Sequence, residues 1–157
     1  MALGRRSAGI FAAFVGLACE GGECEEDIRA QVLDARATLA IGDATLTAEI
    51  AQTEVERERG WKHRRCDLEG LVLVAPEGGA LELWGCGMTT ALDVLWIKDG
   101  AVQRIDTGIE PCAEPCGGCP IVGPGGPVDA ALEVPAGSLD VEVGAAVIGL
   151  DPWLGGA

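Results

Sequence analysis

The feature that most restricts the fold of this chain is a two-residue alternation of apolar and polar side chains that begins near Ala37. Within 45–51, Leu46, Ala48 and Ile50 alternate with polar neighbours, a pattern typical of a strand with one buried face. Gly, Pro and Asp separate short segments of this kind, which favours a sandwich or barrel over alternating strands and helices. The sequence therefore predicts a single compact, mainly β domain that is sandwich-like or barrel-like.

The pattern predicts the positions of the strands and of two tight turns. The predicted strands are Ala37–Ile41, Thr45–Ala51, Leu71–Ala75, Ala80–Trp84, Leu92–Ile97, Ala101–Ile105, Val128–Val134, Leu139–Val143 and Ala146–Leu150. Gly42-Asp43 and Asp99-Gly100 suit two-residue hairpin turns, because these residue types accept the left-handed backbone that such turns need.

One short helix is predicted between the second and third strands. Thr53 and Glu56 form a capping box, in which each side chain can bind a free backbone N–H of the first turn. Gly60 provides a stop after about two turns. The segment between them is charged, which is typical of a solvated helix surface.

The first eighteen residues resemble an export signal. Arg5 and Arg6 precede an uncharged, largely apolar run that ends at Ala18, and the run is shorter than the roughly 20 residues that span a bilayer. The position of Cys19 resembles that of the lipidated cysteine of bacterial lipoproteins, while Gly16 and Ala18 also suit ordinary signal-peptidase cleavage. Lipidation of Cys19 would leave an even number of cysteines, as a disulfide framework requires.

Charge and composition predict how the chain divides into segments and limit the classes of partner that it can bind. We expect a signal peptide at 1–18, an acidic tether at 19–36 and a β domain at 37–157. With 11 Lys+Arg against 25 Asp+Glu, the net charge is −14, which argues against binding to nucleic acid or to anionic membrane surfaces. The expected partner is a small ligand or another envelope protein, and the membrane is contacted only through the lipid anchor.

Five short motifs follow one another along the body of the chain. They are Thr53 with Glu56-Arg57-x-Arg59-Gly60-x-x-x-Arg64, Glu69-Gly70-Leu-Val-Leu-Val-Ala-Pro76, Leu92-Asp93-Val-Leu-Trp-Ile97 with Asp99-Gly100, Pro111-Cys112-x-x-Pro115-Cys116, and Leu132-Glu133-Val-Pro-Ala136-Gly137. Their order and spacing resemble the DUF192 family of small bacterial and archaeal proteins. The resemblance implies a mainly β domain, often exported, with no established reaction. The stretches 61–63 and 85–88 depart from the family pattern, so a family site there would be altered.

Cysteines provide the sharpest chemical pattern. Cys112, Cys116 and Cys119 have the C-x3-C-x2-C spacing of radical S-adenosylmethionine enzymes, but the chain is too short for their barrel and export favours disulfides. A four-thiolate zinc site completed by Cys86 or Cys66, a redox-active Cys116–Cys119 pair and a disulfide clamp stay open. Six cysteines allow fifteen pairings. The resemblance pairs Cys112 with Cys116, and Cys66 with Cys86 is a plausible long-range bridge.

Charged residues near the predicted helix suggest a binding surface. The basic patch contains Arg57, Arg59, Lys62, Arg64 and Arg65. It can bind a carboxylate or phosphate, or it can simply offset the nearby glutamates. His63 is the only histidine of the chain, and a solvent-exposed position is its expected place. Asp93 and Glu133 lie in predicted strands among apolar residues, where pairing with Arg57 or Arg59 is favoured over a catalytic role.

These observations give a leading function and an alternative. The leading prediction is an exported, lipid-anchored envelope protein that acts as a non-enzymatic binding or accessory module. Its ligand groove would use Arg57, Arg59, Arg64, Trp84 and Asp93, with no catalytic residue, metal or cofactor. The alternative is a thiol-redox or metal-binding protein that works through the Cys112, Cys116 and Cys119 cluster.

Overall fold

A computed structural model describes residues 24–155 of the chain. Its strands are β1 (Arg36–Ile41), β2 (Ala44–Ala51), β3 (Gly70–Val74), β4 (Leu83–Trp84), β5 (Leu92–Lys98), β6 (Ala101–Ile109), β7 (Ile121–Val122), β8 (Ala130–Pro135) and β9 (Val147–Ile148), and its α-helix is α1 (Glu54–Arg59). Short 3₁₀ turns lie at Cys116–Gly118 and Asp151–Trp153. The predictions of a mainly β fold and of one short helix are confirmed.

Seven strands form one curled sheet, a half-barrel, in the order β6-β5-β8-β3-β2-β1-β9, and β4 pairs separately with β7. Antiparallel hairpins join β1 to β2 and β5 to β6 through the two predicted turns. Strands β2 and β3 are parallel, and α1 lies in the connection between them. Strand β8 inserts between β3 and β5, at the centre of the sheet.

The capping box predicted for α1 is present. The Thr53 hydroxyl accepts a hydrogen bond from the backbone N–H of Glu56, and the Glu56 carboxylate accepts from the backbone N–H groups of Thr53 and Gln52, both at 2.8 Å. These backbone donors, Thr53 first, lower the pKa of Glu56. Gly60 ends the helix with a φ of 46°, a backbone conformation that favours glycine.

The two faces of the sheet carry separate apolar clusters. One face contributes Leu39, Ile41, Leu46, Ile50, Val72, Leu95, Ile97, Leu132 and Val134, and partly buried residues of the segment 139–154 pack against it. The opposite face contributes Leu71, Leu73, Val94, Trp96 and Ala131, and Trp61, Leu81, Leu83 and Met88 cover it. We call the first the closed face and the second the cavity face.

Some predicted strands differ from the structure. The segment 139–143 is not a strand, since Leu139 and Val141 pack side-on against the closed face instead of pairing. The predicted strand Ala80–Trp84 shrinks to the two residues of β4, which pair with the unpredicted β7. That pairing joins segments almost forty positions apart, so alternation within either segment does not reveal it.

The described part of the predicted tether is docked on the domain, which corrects the expectation of a solvated segment. Cys24 forms a disulfide with Cys66, and Glu26 pairs with Arg64 at 3.2 Å. Gln31 is buried and donates to the carbonyls of Glu56 and Gly60. The tether prediction rested on local composition, whereas these contacts are all long-range.

The predicted signal peptide and Cys19 lie outside the described residues. Within residues 24–155, no helix has the length and apolar character needed to cross a membrane.

Candidate ligand-binding site

A cavity of about 190 Å³ lies between the end of α1 and the cavity face. Its walls come from α1 and the turn after it, from β3 and β8, and from the segment around β4. The apolar lining is Trp61, Leu73, Leu81, Leu83, Trp84 and Met88, and the charged lining is Glu54, Arg57, Glu58, Arg59, Lys62, Glu82 and Glu133. Most of the charged side chains lie at the solvent edge, whereas Glu133 lies on the sheet itself.

Glu133 places a carboxyl group at the closed end of this cavity. It lies on β8 opposite Leu71 of β3 and Val94 of β5, and only 5% of it is exposed. Its Oε2 atom has no hydrogen-bond partner among residues 24–155. Burial raises the pKa of Glu133 to about 8, because removing a carboxylate from water disfavours its charged form. The cavity therefore ends in a group that is largely protonated at neutral pH.

Trp84 supplies a second polar atom at the cavity wall. Its Nε1 donor is buried and, within the described part of the chain, lacks an acceptor. The Nζ atom of Lys62 lies 5.5 Å from the centroid of the Trp84 ring, within the range of a cation–π contact. The lining thus combines a mostly apolar surface with two side chains, Glu133 and Trp84, that each have a buried polar atom without a partner in the described residues. Apolar walls with few polar groups are typical of a small-molecule site.

A disulfide-bonded strap, residues 110–119, holds the Trp84 wall in place. Cys86 is bonded to Cys116, and Cys112 is bonded to Cys119. Backbone hydrogen bonds from Gly87 to the Cys112 carbonyl at 2.9 Å and from Cys112 to the Gly85 carbonyl at 2.8 Å continue the attachment. The strap approaches Gly85 so closely that a Cβ there would collide with the carbonyl of Glu110. Glycine at this position is therefore required by the close contact.

The predicted disulfide partners are wrong, although all four predicted cysteines form disulfides. Cys66 pairs with Cys24 rather than Cys86, and Cys112 pairs with Cys119 rather than Cys116. The Cα separations of the three bonds are 5.6, 5.4 and 5.7 Å, within the range a disulfide accepts. Sequence spacing cannot supply such distances, which depend on how the strap and the N-terminal segment dock.

The Cys112, Cys116 and Cys119 sulfurs are all oxidised in this structure. A metal ion binds thiolates rather than disulfide sulfurs. The cluster in its oxidised state therefore offers no thiolate ligand. No group of three or more His, Cys, Asp or Glu side chains is arranged to hold a metal within residues 24–155.

Arg64 lies away from the cavity, in a buried ion cluster behind α1. It pairs with Glu49 and, at 3.2 Å, with Glu26. Glu49 is 1% exposed and also accepts from Arg36 and from the backbone N–H of Leu33, each at 3.0 Å. Arg64 therefore ties the N-terminal segment to β2, which is a structural role.

Asp93 also has a structural role, and the prediction that it pairs with an arginine is wrong. Its two carboxylate oxygens accept hydrogen bonds from the backbone N–H groups of Gly108 and Gly137, both at 2.8 Å. Arg57 instead donates to the backbone carbonyls of Gln52 and, at 3.2 Å, Val74. Backbone N–H groups satisfy the Asp93 carboxylate as well as a guanidinium would. The apolar residues next to Asp93 in the sequence do not show which of these two kinds of donor it binds.

The structure therefore brings three of the five predicted ligand-binding residues to one cavity and separates the other two. Arg57, Arg59 and Trp84 line the cavity, whereas Arg64 and Asp93 do not. His63 is partly buried rather than fully solvated, and its Nε2 lies 3.6 Å from a Glu114 carboxylate oxygen. Of the apolar lining, sequence reasoning selected Trp84 but not Leu73, Leu81 and Leu83, which come from β3 and from the segment around β4.

Two features define the class of this protein. They are a curled β half-barrel and, under its helix, a cavity that ends in a polar group. Residues 37–148 match the family model DUF192, described as an uncharacterized ACR. The chain belongs to this family, which confirms the resemblance seen in the sequence motifs.

Two solved structures share this fold. A protein of Sinorhizobium meliloti 1021, provisionally called a transcription regulator, is 27% identical, with 76% of this chain and 98% of that one covered and a TM-score of 0.66. A protein of unknown function from Novosphingobium aromaticivorans DSM 12444 is 21% identical, with 71% and 82% covered and a TM-score of 0.60. No curated protein matches the chain.

Proposed function

We propose that this protein is an exported binding module whose ligand site is the cavity above Glu133. The observation that carries the proposal is the unpartnered Oε2 of a buried carboxyl at the end of an apolar cavity. An unsatisfied buried polar atom destabilises the native state, and a ligand that supplies a hydrogen bond would remove that cost. The site revises the predicted groove by replacing Arg64 and Asp93 with Glu133 and Trp61.

Export to an oxidising compartment agrees with the disulfides. The six cysteines of the described residues form three disulfides, and such bonds persist mainly outside the cytosol. The apolar run before Cys19 supports a secretory signal, and Cys19 itself supports lipid anchoring to the envelope membrane.

The function named for the Sinorhizobium protein, that of a transcription regulator, does not suit this chain. A regulator that binds DNA needs a basic surface for the phosphates, and this chain carries a net charge of −14. The arginines that line the cavity share its lining with Glu54, Glu58 and Glu82, so this surface is not uniformly basic.

A neutral amphipathic probe tests the site. We expect 3,3-dimethyl-1-butanol to bind the oxidised protein in a saturable way at pH 7 and to shift the NMR signals of the Trp84 indole N–H and the Met88 methyl group. Leu83→Trp, which fills the cavity with an indole, should abolish the shifts. Val143→Trp adds the same group at an exposed loop position and should leave them unchanged. Shifts that persist in Leu83→Trp would contradict the assignment of the cavity.

Intact mass tests export and anchoring. The protein purified from bacterial membranes should carry a diacylglycerol-type mass on Cys19 and should react with a thiol-alkylating reagent only after reduction. A mature form without lipid that begins after Ala18 would contradict lipid anchoring and support export. An unprocessed N-terminus with alkylable thiols would contradict both.

A further inference from the structure

We propose that the ligand of this cavity is a small organic cation, an alkylammonium group that becomes the counterion of Glu133. This inference rests on the proposed function, because it names the chemical class that the same site binds.

Glu133 is a buried carboxyl that has no cationic partner among the residues the structure describes. Three basic residues line the cavity, but none binds its Oε2 atom. Arg57 donates to the backbone carbonyls of Gln52 and Val74, Lys62 lies over Trp84, and Arg59 is exposed at the cavity mouth. A buried carboxylate gains most from a counterion at hydrogen-bond or contact distance. None of the described side chains supplies that counterion, and a cation from outside the chain would supply it.

The aromatic lining suits an alkylammonium group. Trp61 and Trp84 both line the cavity, and the face of an indole attracts cations, with quaternary ammonium groups among the ligands that use this contact. The chain already places one ammonium group at such a face, since Lys62 Nζ lies 5.5 Å from the Trp84 ring centroid. Indoles and a carboxyl together would match both the methyl groups and the charge of an alkylammonium ligand.

The remaining charges around the cavity nearly cancel. Those on α1, on the turn after it and on the segment before β4 are Glu54, Glu58 and Glu82 against Arg57, Arg59 and Lys62. Glu133 is therefore the group that sets the sign of the charge at the closed end. The strongly acidic chain as a whole attracts cations to its surface.

The cavity is large enough for a small organic group. A dry cavity of about 150 Å³ accommodates benzene, and this one has about 190 Å³. A trimethylammonium or similar group fits this volume.

Cation binding and proton release are linked at this site. Because burial raises the pKa of Glu133 to about 8, the carboxyl holds a proton near neutral pH when the cavity is empty. A cation that enters stabilises the carboxylate, and the proton leaves to solvent. Affinity for a permanent cation should therefore rise about tenfold per pH unit below 8 and level off above it.

Calorimetry with a matched pair of probes tests the inference. Choline chloride and its neutral isostere 3,3-dimethyl-1-butanol are titrated into the oxidised full-length protein at pH 6, 7, 8 and 9. Each titration is repeated in two buffers that differ in ionisation enthalpy, which counts released protons. We expect choline to release close to one proton at pH 6 to 7 and to bind more tightly as pH rises. The alcohol should release none and bind less tightly above pH 8, where Glu133 ionises.

Two glutamate substitutions separate the cavity from the surface. Glu133→Gln should abolish proton release, remove the pH dependence and weaken choline binding by at least about tenfold at pH 8, with alcohol binding changed less than about twofold. Glu82→Gln removes a carboxylate at the exposed mouth of the same cavity and should change choline affinity by less than about twofold.

The outcomes distinguish this inference from the proposed function. Alcohol binding without pH-linked choline binding would overturn the cation inference and leave the binding module intact. Choline binding that is unaffected by Glu133→Gln would also overturn the inference, since the cation would lie elsewhere. Failure of both probes to bind would overturn the inference and the proposed function together.

Discussion

The two faces of the seven-stranded sheet are built from the same strands but are covered differently. The closed face is covered by apolar side chains from the curled sheet and from the segment 139–154. The cavity face is covered by the turn after α1 and by a segment around β4, which the Cys86–Cys116 disulfide fastens to the strap. One face is filled by packing, while the other leaves a space of about 190 Å³.

Adjacent residues of β8 show what this difference teaches. Leu132 is fully buried in the closed face, and Glu133 points to the opposite side, as successive side chains of a strand must. The strand is therefore committed to stability on one side and is free to carry a polar group on the other. We expect substitutions on the closed face to change stability alone, and those at Glu133 to change ligand binding and pH dependence.

The largest expected effect is the pH dependence that Glu133 imposes on stability. Below its usual pKa of 4.5 this carboxyl is protonated in both the folded and the unfolded chain. Between pH 4.5 and about 8 only the native state keeps the proton, so the free energy of unfolding falls as pH rises, by at most about 5 kcal/mol. Above pH 8 this contribution is constant.

Urea unfolding of the wild type and Glu133→Gln at pH 4, 6 and 9 measures this effect. The two proteins should differ little at pH 4, and the variant should be the more stable one at pH 9. Their difference isolates Glu133 from the other titrating groups. An equal difference at every pH would show that Glu133 ionises normally in the native state.

The second effect concerns packing on the two faces. Leu132→Ala leaves a new void in a filled core and should lower the free energy of unfolding by about 4 kcal/mol. Leu83→Ala enlarges a space that is already open to solvent and should lower it by about 2 kcal/mol. Chemical denaturation of both variants gives the comparison. Equal losses would contradict the contrast between a filled face and an open one.

The most local effect is that of the covalent attachment of the cavity wall. Replacing Cys86 and Cys116 by Ser removes a bond that closes 30 residues and should lower the free energy of unfolding by about 3 kcal/mol. Hydrogen exchange should increase around 83–88 and much less on the closed face. Removal of the Cys24–Cys66 bond is the control, since it attaches the N-terminal segment rather than the cavity wall. Uniform loss of protection in the first variant would contradict a local role.

Local sequence signals predicted the parts of this fold that depend on neighbouring residues. The capping box at Thr53 and Glu56, the Gly60 stop and the two hairpin turns lie where they were expected. The alternation located β1 and β2, because a half-buried strand must alternate. Strands β3, β5 and β8 are buried on nearly every residue and were located as short apolar runs between turn residues. The family motifs identified the family for a related reason, since they mark these same turns and strands.

The candidate site was predicted only in part. Trp84 and the arginines of α1 were selected by residue type, and Glu133 was recognised as a carboxyl among apolar neighbours. Its lack of a partner was not predictable, because the nearby arginines bind backbone carbonyls instead. A sequence shows which groups need a partner, but pairing depends on distances between segments.

The sequence by itself determined the fold class, the short helix, the hairpins, the family and the acidic charge, because each follows from local pattern or composition. Only the tertiary structure decided the disulfide partners, the docking of the N-terminal segment and the backbone donors that satisfy Asp93. It also decided that Glu133 ends a cavity and finds no counterion within residues 24–155. These features join residues far apart in the chain, and their energies depend on distance and burial, which exist only once the sheet has curled and its faces are covered.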